Sequence, residues 1–240
     1  MVNNHFVPAA QVQGLAVYPF SGNWGTTGEK ALIAYGVFLD NTTVYNLGKS
    51  YYETRNLKDK AACGYLPYII STTTGQYVKS RRDQGHTQFP LGNGILSNHY
   101  HFFTRLIALC VSVAEIAQVA YSQGDSSVFS LLSNRLMLGY EYTSEFQTNY
   151  TVPYNSSIYC CDCPETFGTW TAPSTLDQYQ YRPVREIAYG YFNGVAGQAM
   201  PYTKEILTLT GGDTTNPVNA NADNDNAEWG TLRFRRTTSL

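Results

Sequence analysis

Apolar residues recurring at helical spacing constrain the fold of this 240-residue chain more than any other feature. Phe129, Leu132, Leu136 and Tyr140 fall at i, i+3, i+7 and i+11, and Val44, Leu47 and Tyr51 at i, i+3 and i+7. Side chains so spaced share one face of a helix and must be buried against another element. The pattern predicts helices over 26–38, with Ala31, Ile33, Ala34, Val37 and Phe38 near helical spacing and Thr26 or Thr27 as N-cap, and over 43–56, 96–121 and 127–148. A further helix reaches about Phe192 from Pro183, a residue tolerated in a first turn, and a short one covers 202–209. Long helices joined by polar loops read as an all-α array of antiparallel hairpins in a single domain, 1–240.

The segments between these helices read as loops. Residues 57–77 carry Gly64, Pro67 and Gly75 around a short extended piece at 68–71. Residues 151–181 form a long connection with Pro153, Pro164 and Pro173, the kind that in a compact domain is functional or ordered by disulfides. The Asn/Asp-rich stretch 211–227 reads as a mobile loop. Of the cysteines Cys63, Cys110, Cys160, Cys161 and Cys163, the cluster at 160–163 lacks zinc spacing and a second ligand pair, so a disulfide-stapled loop is the better reading. Cys110 sits in an apolar helical run and reads as a buried thiol, and the odd count leaves one cysteine unpaired within the chain.

Composition narrows the function classes. An apolar fraction of 43% supports a core, whereas charged residues, at 14%, fall well below the roughly 25% of an average domain. The net charge of −2 excludes a basic nucleic-acid binder. No run approaches the roughly 18 uncharged apolar residues of a membrane span; the best, 106–120, contains Glu115. Met1-Val-Asn-Asn-His5 has neither the basic start nor the apolar stretch of a secretory leader. Three sequons (Asn41-Thr-Thr43, Asn149-Tyr-Thr151 and Asn155-Ser-Ser157), low charge and clustered cysteines nevertheless favour an extracellular glycoprotein, whose natural N-terminus is then expected upstream.

The densest polar stretch is Lys79-Ser-Arg-Arg-Asp-Gln-Gly-His-Thr-Gln88, with three cations, a carboxylate, amides and an imidazole just before an apolar helix. A solvated loop needs no such ordering. Gly22-Asn-Trp-Gly25, followed by a helix ending Val37-Phe38-Leu39-Asp40-Asn41, and Arg82-Asp-Gln-Gly-His-Thr-Gln88 resemble the alginate-lyase-domain family of polysaccharide lyases. So do Asn134-Arg-Leu-Met-Leu-Gly-Tyr-Glu-Tyr-Thr143, Arg182-Pro-Val-Arg-Glu-Ile-Ala-Tyr189 with Met200-Pro-Tyr-Thr203, and Trp229-Gly-Thr-Leu232. These segments occur in the family's order across most of 23–232. The resemblance implies an α/α toroid, incomplete because only 22 residues precede Asn23, and β-elimination on a uronic-acid polysaccharide such as alginate or glucuronan. Lys79 stands where the family commonly has an acid, Tyr189-Gly-Tyr191 where it has Tyr-Asn-His, and 94–113, with His99 and His101, reads as an insertion.

The chemistry of such a lyase names the residues it needs. Removing the proton α to a uronate carboxylate creates a dianion, so amide or guanidinium donors must neutralise the carboxylate. Asn23 and Arg182 are the candidates. A base of near-neutral pKa is needed, which suits His86, and an acid for the departing glycosidic oxygen. Arg182, Glu186 and Tyr189 fall at i, i+4 and i+7, which presents guanidinium and phenol on one helical face and makes Tyr189 the preferred acid. Tyr142, with Arg135 seven residues earlier, is its rival; Arg82, Gln84, Tyr142 and Arg135 are candidate substrate-binding residues. No metal or organic cofactor is implied. The partner implied is an anionic polysaccharide, neither nucleic acid nor membrane, with self-association through an apolar face on helix 26–38 if the array is incomplete. The alternative from another class is a non-catalytic carbohydrate-binding or structural relative of the lyase fold.

Overall fold

The computed structural model describes residues 1–15, 23–53, 102–154, 185–212 and 234, with side chains described for all of these except 12–15, 23–25 and 102–111. After a π-helical turn, Val2–Phe6, come α1 (Val7–Leu15), α2 (Asn23–Phe38), α3 (Thr42–Glu53), α4 (Phe102–Ser122), α5 (Ser127–Gln147), α6 (Glu186–Phe192) and α7 (Pro201–Thr210). The described residues are all-α and include no strand. The expected extended piece at 68–71, Cys63 and Cys160–Cys163 lie outside them, as does most of the loop 151–181.

The boundaries follow from local chemistry. Helix α2 begins at Asn23, three residues before the expected start, so Thr26 is a buried residue of the helix and not its cap. Its end is a tight reversal in which Asp40, at φ 50°, adopts a left-handed conformation that Asp tolerates better than most residues. The Asn41 N–H there donates to the Gly36 carbonyl at 2.8 Å. The Asn41 Oδ1 then accepts the Thr43 and Val44 N–H groups at 3.0 and 3.2 Å, capping α3. Gly124, at φ 88°, turns the chain from α4 into α5, where Asp125 Oδ1 accepts both Ser127 N–H and Ser127 Oγ–H at 3.0 and 2.6 Å. Helix α7 carries Pro201 in its first turn and stops at Gly211, φ 71°, with Gly212 N–H donating to Leu207 O at 2.7 Å.

Two sequence stripes are corrected by packing. In α3 the buried positions are Val44, Gly48 and Tyr52, while Leu47 and Tyr51 are half-buried; the seam runs along i, i+4 and i+8 because the backbone of α2 presses against Gly48. In α5, Leu131–Asn134 leave helical geometry, and Leu132, Ser133 and Asn134 take φ of 54°, 59° and 60°. The break keeps Phe129 and Leu136 in the core but leaves Leu132 38% exposed, outside the stripe expected of it. Helix α6 ends at Phe192 as expected but begins at Glu186; Pro183 lies outside the described residues.

Helix α2 packs on α1, α3 and α4; α4 packs on α5 and α6, and α5 on α6 and α7. The main core joins Ile33 of α2, Tyr52 of α3, Ile116 of α4, Phe129 and Leu136 of α5, Phe192 of α6 and Leu207 of α7. Phe129 stacks on Tyr191 at 3.9 Å between ring centroids and meets the edge of Phe192 at 5.6 Å. A smaller cluster of Val7, Ala10, Leu32 and Val44 fixes α1 on the α2–α3 pair. Between α2 and α4, Lys30 bonds Glu115 at 2.7 Å, and Thr27 Oγ1 lies 3.5 Å from Ser112 Oγ. Ser112 and Val113, the last residues of the stretch 94–113, are thus part of a helix packed on α2. No helix of the described residues is long and apolar enough to cross a membrane. Among the described side chains of α2, the large apolar ones most exposed are Val37 and Phe38, at its C-terminal end.

Candidate active site

Helix α5, the residue that opens α6 and the first turn of α7 meet at one junction. Glu141, Ser144 and Gln147 follow one another at intervals of three on α5 and form a polar seam along a helix that is otherwise half core. The Glu141 carboxylate accepts the Tyr202 and Thr203 N–H groups at 3.1 and 3.0 Å, filling the role of an N-cap for α7 from another helix. Burial pushes the Glu141 pKa up, against the opposing pull of its hydrogen bonds from Thr203 and Tyr202. Ser144 Oγ lies 3.3 Å from Thr203 Oγ1, which ties the next turn of α5 to α7.

Arg185, immediately before α6, completes the seam. It is 2% exposed, and a buried guanidinium is costly unless its donors are used. Its Nε donates to Ser144 Oγ at 3.3 Å and its Nη2 to Gln147 Oε1. Glu186, the first residue of α6, is fully buried beside it. Thus Glu141, Ser144, Gln147, Thr203 and Arg185 link three helices through side-chain polar groups. None of them is a candidate on sequence grounds, although the spacing 141, 144, 147 on an apolar helix is a signal that a polar partner faces it.

Of the expected site residues, Arg135, Tyr142 and Tyr189 are described in full. All three are buried, and Tyr142 and Tyr189 belong to the same core cluster. The Tyr142 hydroxyl donates to the Pro153 carbonyl at 2.9 Å. Burial, with the nearby Tyr154 and Glu145, pushes its pKa far above that of an ordinary phenol, which makes it a poor proton donor or base near neutrality. Tyr189 lies one turn after Arg185, with its N–H donating to the Arg185 carbonyl at 2.9 Å, and is 2% exposed. Asn23 is the first residue of α2, described by its backbone alone. Arg82, Gln84, His86 and Arg182 lie outside the described residues.

The described residues contain no group of three or more His, Cys, Asp or Glu side chains able to hold a metal. Compared with known proteins, the chain matches no family model, no curated protein and no solved structure.

Proposed function

We propose that this chain is a secreted polysaccharide lyase, or part of one, that cleaves an alginate- or glucuronan-like polyuronate by β-elimination on an α/α toroid-like array of helical hairpins. The observation that carries the reading is the ordered set of family-like segments, supported by the junction at which Glu141 holds the Thr203 N–H and Ser144, the next residue but two, meets both Arg185 and Thr203. In this reading Asn23 and Arg182 hold the uronate carboxylate and spread the charge that develops on it. His86 takes the proton from the carbon α to that carboxylate. The electrons form a carbon–carbon double bond, the glycosidic C–O bond breaks, and Tyr189 gives its proton to the departing oxygen. Arg82, Gln84, Arg135 and Tyr142 are the binding residues of this reading, although Arg135 and Tyr142 are buried and the Tyr142 hydroxyl is engaged with Pro153.

The test is to incubate the protein with alginate, polymannuronate, polyguluronate and glucuronan and follow ultraviolet absorbance of the unsaturated uronate. Product is expected from at least one polymer and is abolished by His86→Ala. One observation favours the second reading, a non-catalytic carbohydrate-binding relative: Tyr189 is almost wholly buried. Binding of a polyuronate without any unsaturated product would select that reading and remove the first.

A further inference from the structure

We propose that Arg185 is a positioning residue: its guanidinium, forked onto Ser144 and Gln147 of α5, fixes the first turn of α6 and with it Tyr189. The proposal rests on the lyase reading and deepens it. Arg185 is buried, and its guanidinium donates to Ser144 and Gln147 of α5. What it can do is hold geometry. A planar guanidinium donating from Nε and Nη2 to two acceptors one turn apart on α5 sets both the distance and the rotation of α6 against that helix.

The anchor is itself anchored. Ser144 Oγ, which accepts from Arg185 Nε at 3.3 Å, lies 3.3 Å from Thr203 Oγ1, and Glu141 on the preceding turn caps the start of α7. The register of α6 is therefore set against two helices at once. α6 spans only Glu186–Phe192, too few residues to hold its own geometry without neighbours. Tyr189 begins one helical turn after Arg185, so a change at residue 185 reaches the phenol through a single turn of backbone. A proton donor must meet the glycosidic oxygen at hydrogen-bond distance as the bond breaks, and a displacement of about 1 Å is enough to cost roughly a hundredfold in rate.

The experiment compares the full chain with Arg185→Gln, Arg185→Lys and Ser144→Ala, reading kcat, KM and amide hydrogen exchange of α6. The expected result is a fall in kcat of about ten- to a hundredfold in Arg185→Gln at an unchanged KM, together with faster exchange over 186–192 and unchanged exchange in the α2–α3 pair. Arg185→Lys keeps the charge but not the fork and should fall between; Ser144→Ala removes one acceptor and keeps the readout should the Gln variant not fold. A kcat per folded molecule equal to that of the parent overturns the proposal, as does a rise in KM alone, which would make Arg185 a binding residue. Unchanged exchange in α6 overturns the anchoring by itself, whether or not product forms. Absence of unsaturated product from the unmutated chain overturns the lyase reading instead, and with it the catalytic consequence of the anchor.

Discussion

Two phenols are candidates for the acid of the proposed lyase; both are buried in one core cluster, and the Tyr142 hydroxyl has a structural partner. Tyr142 uses its hydroxyl to hold Pro153 at 2.9 Å, and burial raises its pKa, so its proton is committed to structure. Tyr142→Phe should therefore cost about 1 kcal/mol of stability, read by denaturant melting, and leave the proposed turnover of a polyuronate per folded molecule intact. Tyr189→Phe keeps the ring that packs in the core and removes only the hydroxyl. If that hydroxyl is the acid, turnover on a polyuronate falls by about a hundredfold or more with a small change in melting. A variant that melts lower and turns over as before would assign Tyr189 to the core alone. Sequence reasoning reached both tyrosines through helical spacing and resemblance, because a phenol near an arginine is a visible pattern. It did not reach Arg185, Ser144 or Gln147, because a hydrogen bond between residues 41 or 38 apart leaves no mark in local spacing. Asn41 opens a sequon, and its side-chain oxygen also caps α3, a role signalled by its place just before a helix.

Helices were legible as elements and less so as surfaces. The apolar runs placed α2 to α7 close to their observed ranges, since a turn of helix must bury something at every third or fourth residue. Which residues form the seam depends on the partner. Helix α3 buries Gly48 in place of Leu47 because a glycine allows the α2 backbone to come close: a Cβ there would stand 2.7 Å from Ile33 N and 3.0 Å from Glu29 O. Gly36 makes the matching approach from α2 to the Tyr45 backbone. Gly48→Ala should therefore destabilise the protein by about 1–3 kcal/mol, although alanine is the better helix former by about 1 kcal/mol. A melting temperature equal to or above that of the parent would show that the two helices separate without penalty. The break in α5 was invisible for the opposite reason. Leu131-Leu-Ser-Asn134 contains neither Gly nor Pro, so local chemistry predicts continuous helix, and only the placement of Phe129 and Leu136 in one core accompanies the turn.

At the scale of the molecule, segments distant in sequence are tied by a few charged contacts set over an apolar core. Lys49 on α3 bonds Asp125 in the α4–α5 turn at 2.5 Å and lies 3.4 Å from Glu53, while Asp125 also holds the first residue of α5 through Ser127. The hydrogen bond from Lys49, then that from Ser127, lowers the Asp125 pKa despite some burial. Burial acts to lower the Lys49 pKa, but the Asp125 hydrogen bond and the Glu53 charge outweigh it and raise the net value. A carboxyl whose folded pKa is depressed adds stability above its unfolded value, about 3.9, and loses it as pH falls through the folded value. A lysine whose folded pKa is raised adds stability below about 10.4 and loses it as pH rises through the folded value. The pair is thus worth most between these limits, and its Lys49 and Asp125 side chains are exposed enough, at 22% and 29%, for salt to weaken it. Asp125→Asn keeps an oxygen for Ser127 and loses the charge, so it should cost at most about 1 kcal/mol at neutral pH. Asp125→Ala loses the Ser127 contacts as well and should cost about 1 kcal/mol more. The difference between the parent and Asp125→Asn should shrink as pH falls to about 2, because protonated Asp carries no charge to lose. Glu53, whose pKa burial raises, titrates with the opposite sign but is present in both proteins. Thermal melts of the parent and the Asn variant from pH 7 to 2 provide the measurement; a constant gap across that range would mean that the Asp125 charge contributes nothing to holding α3 against the start of α5.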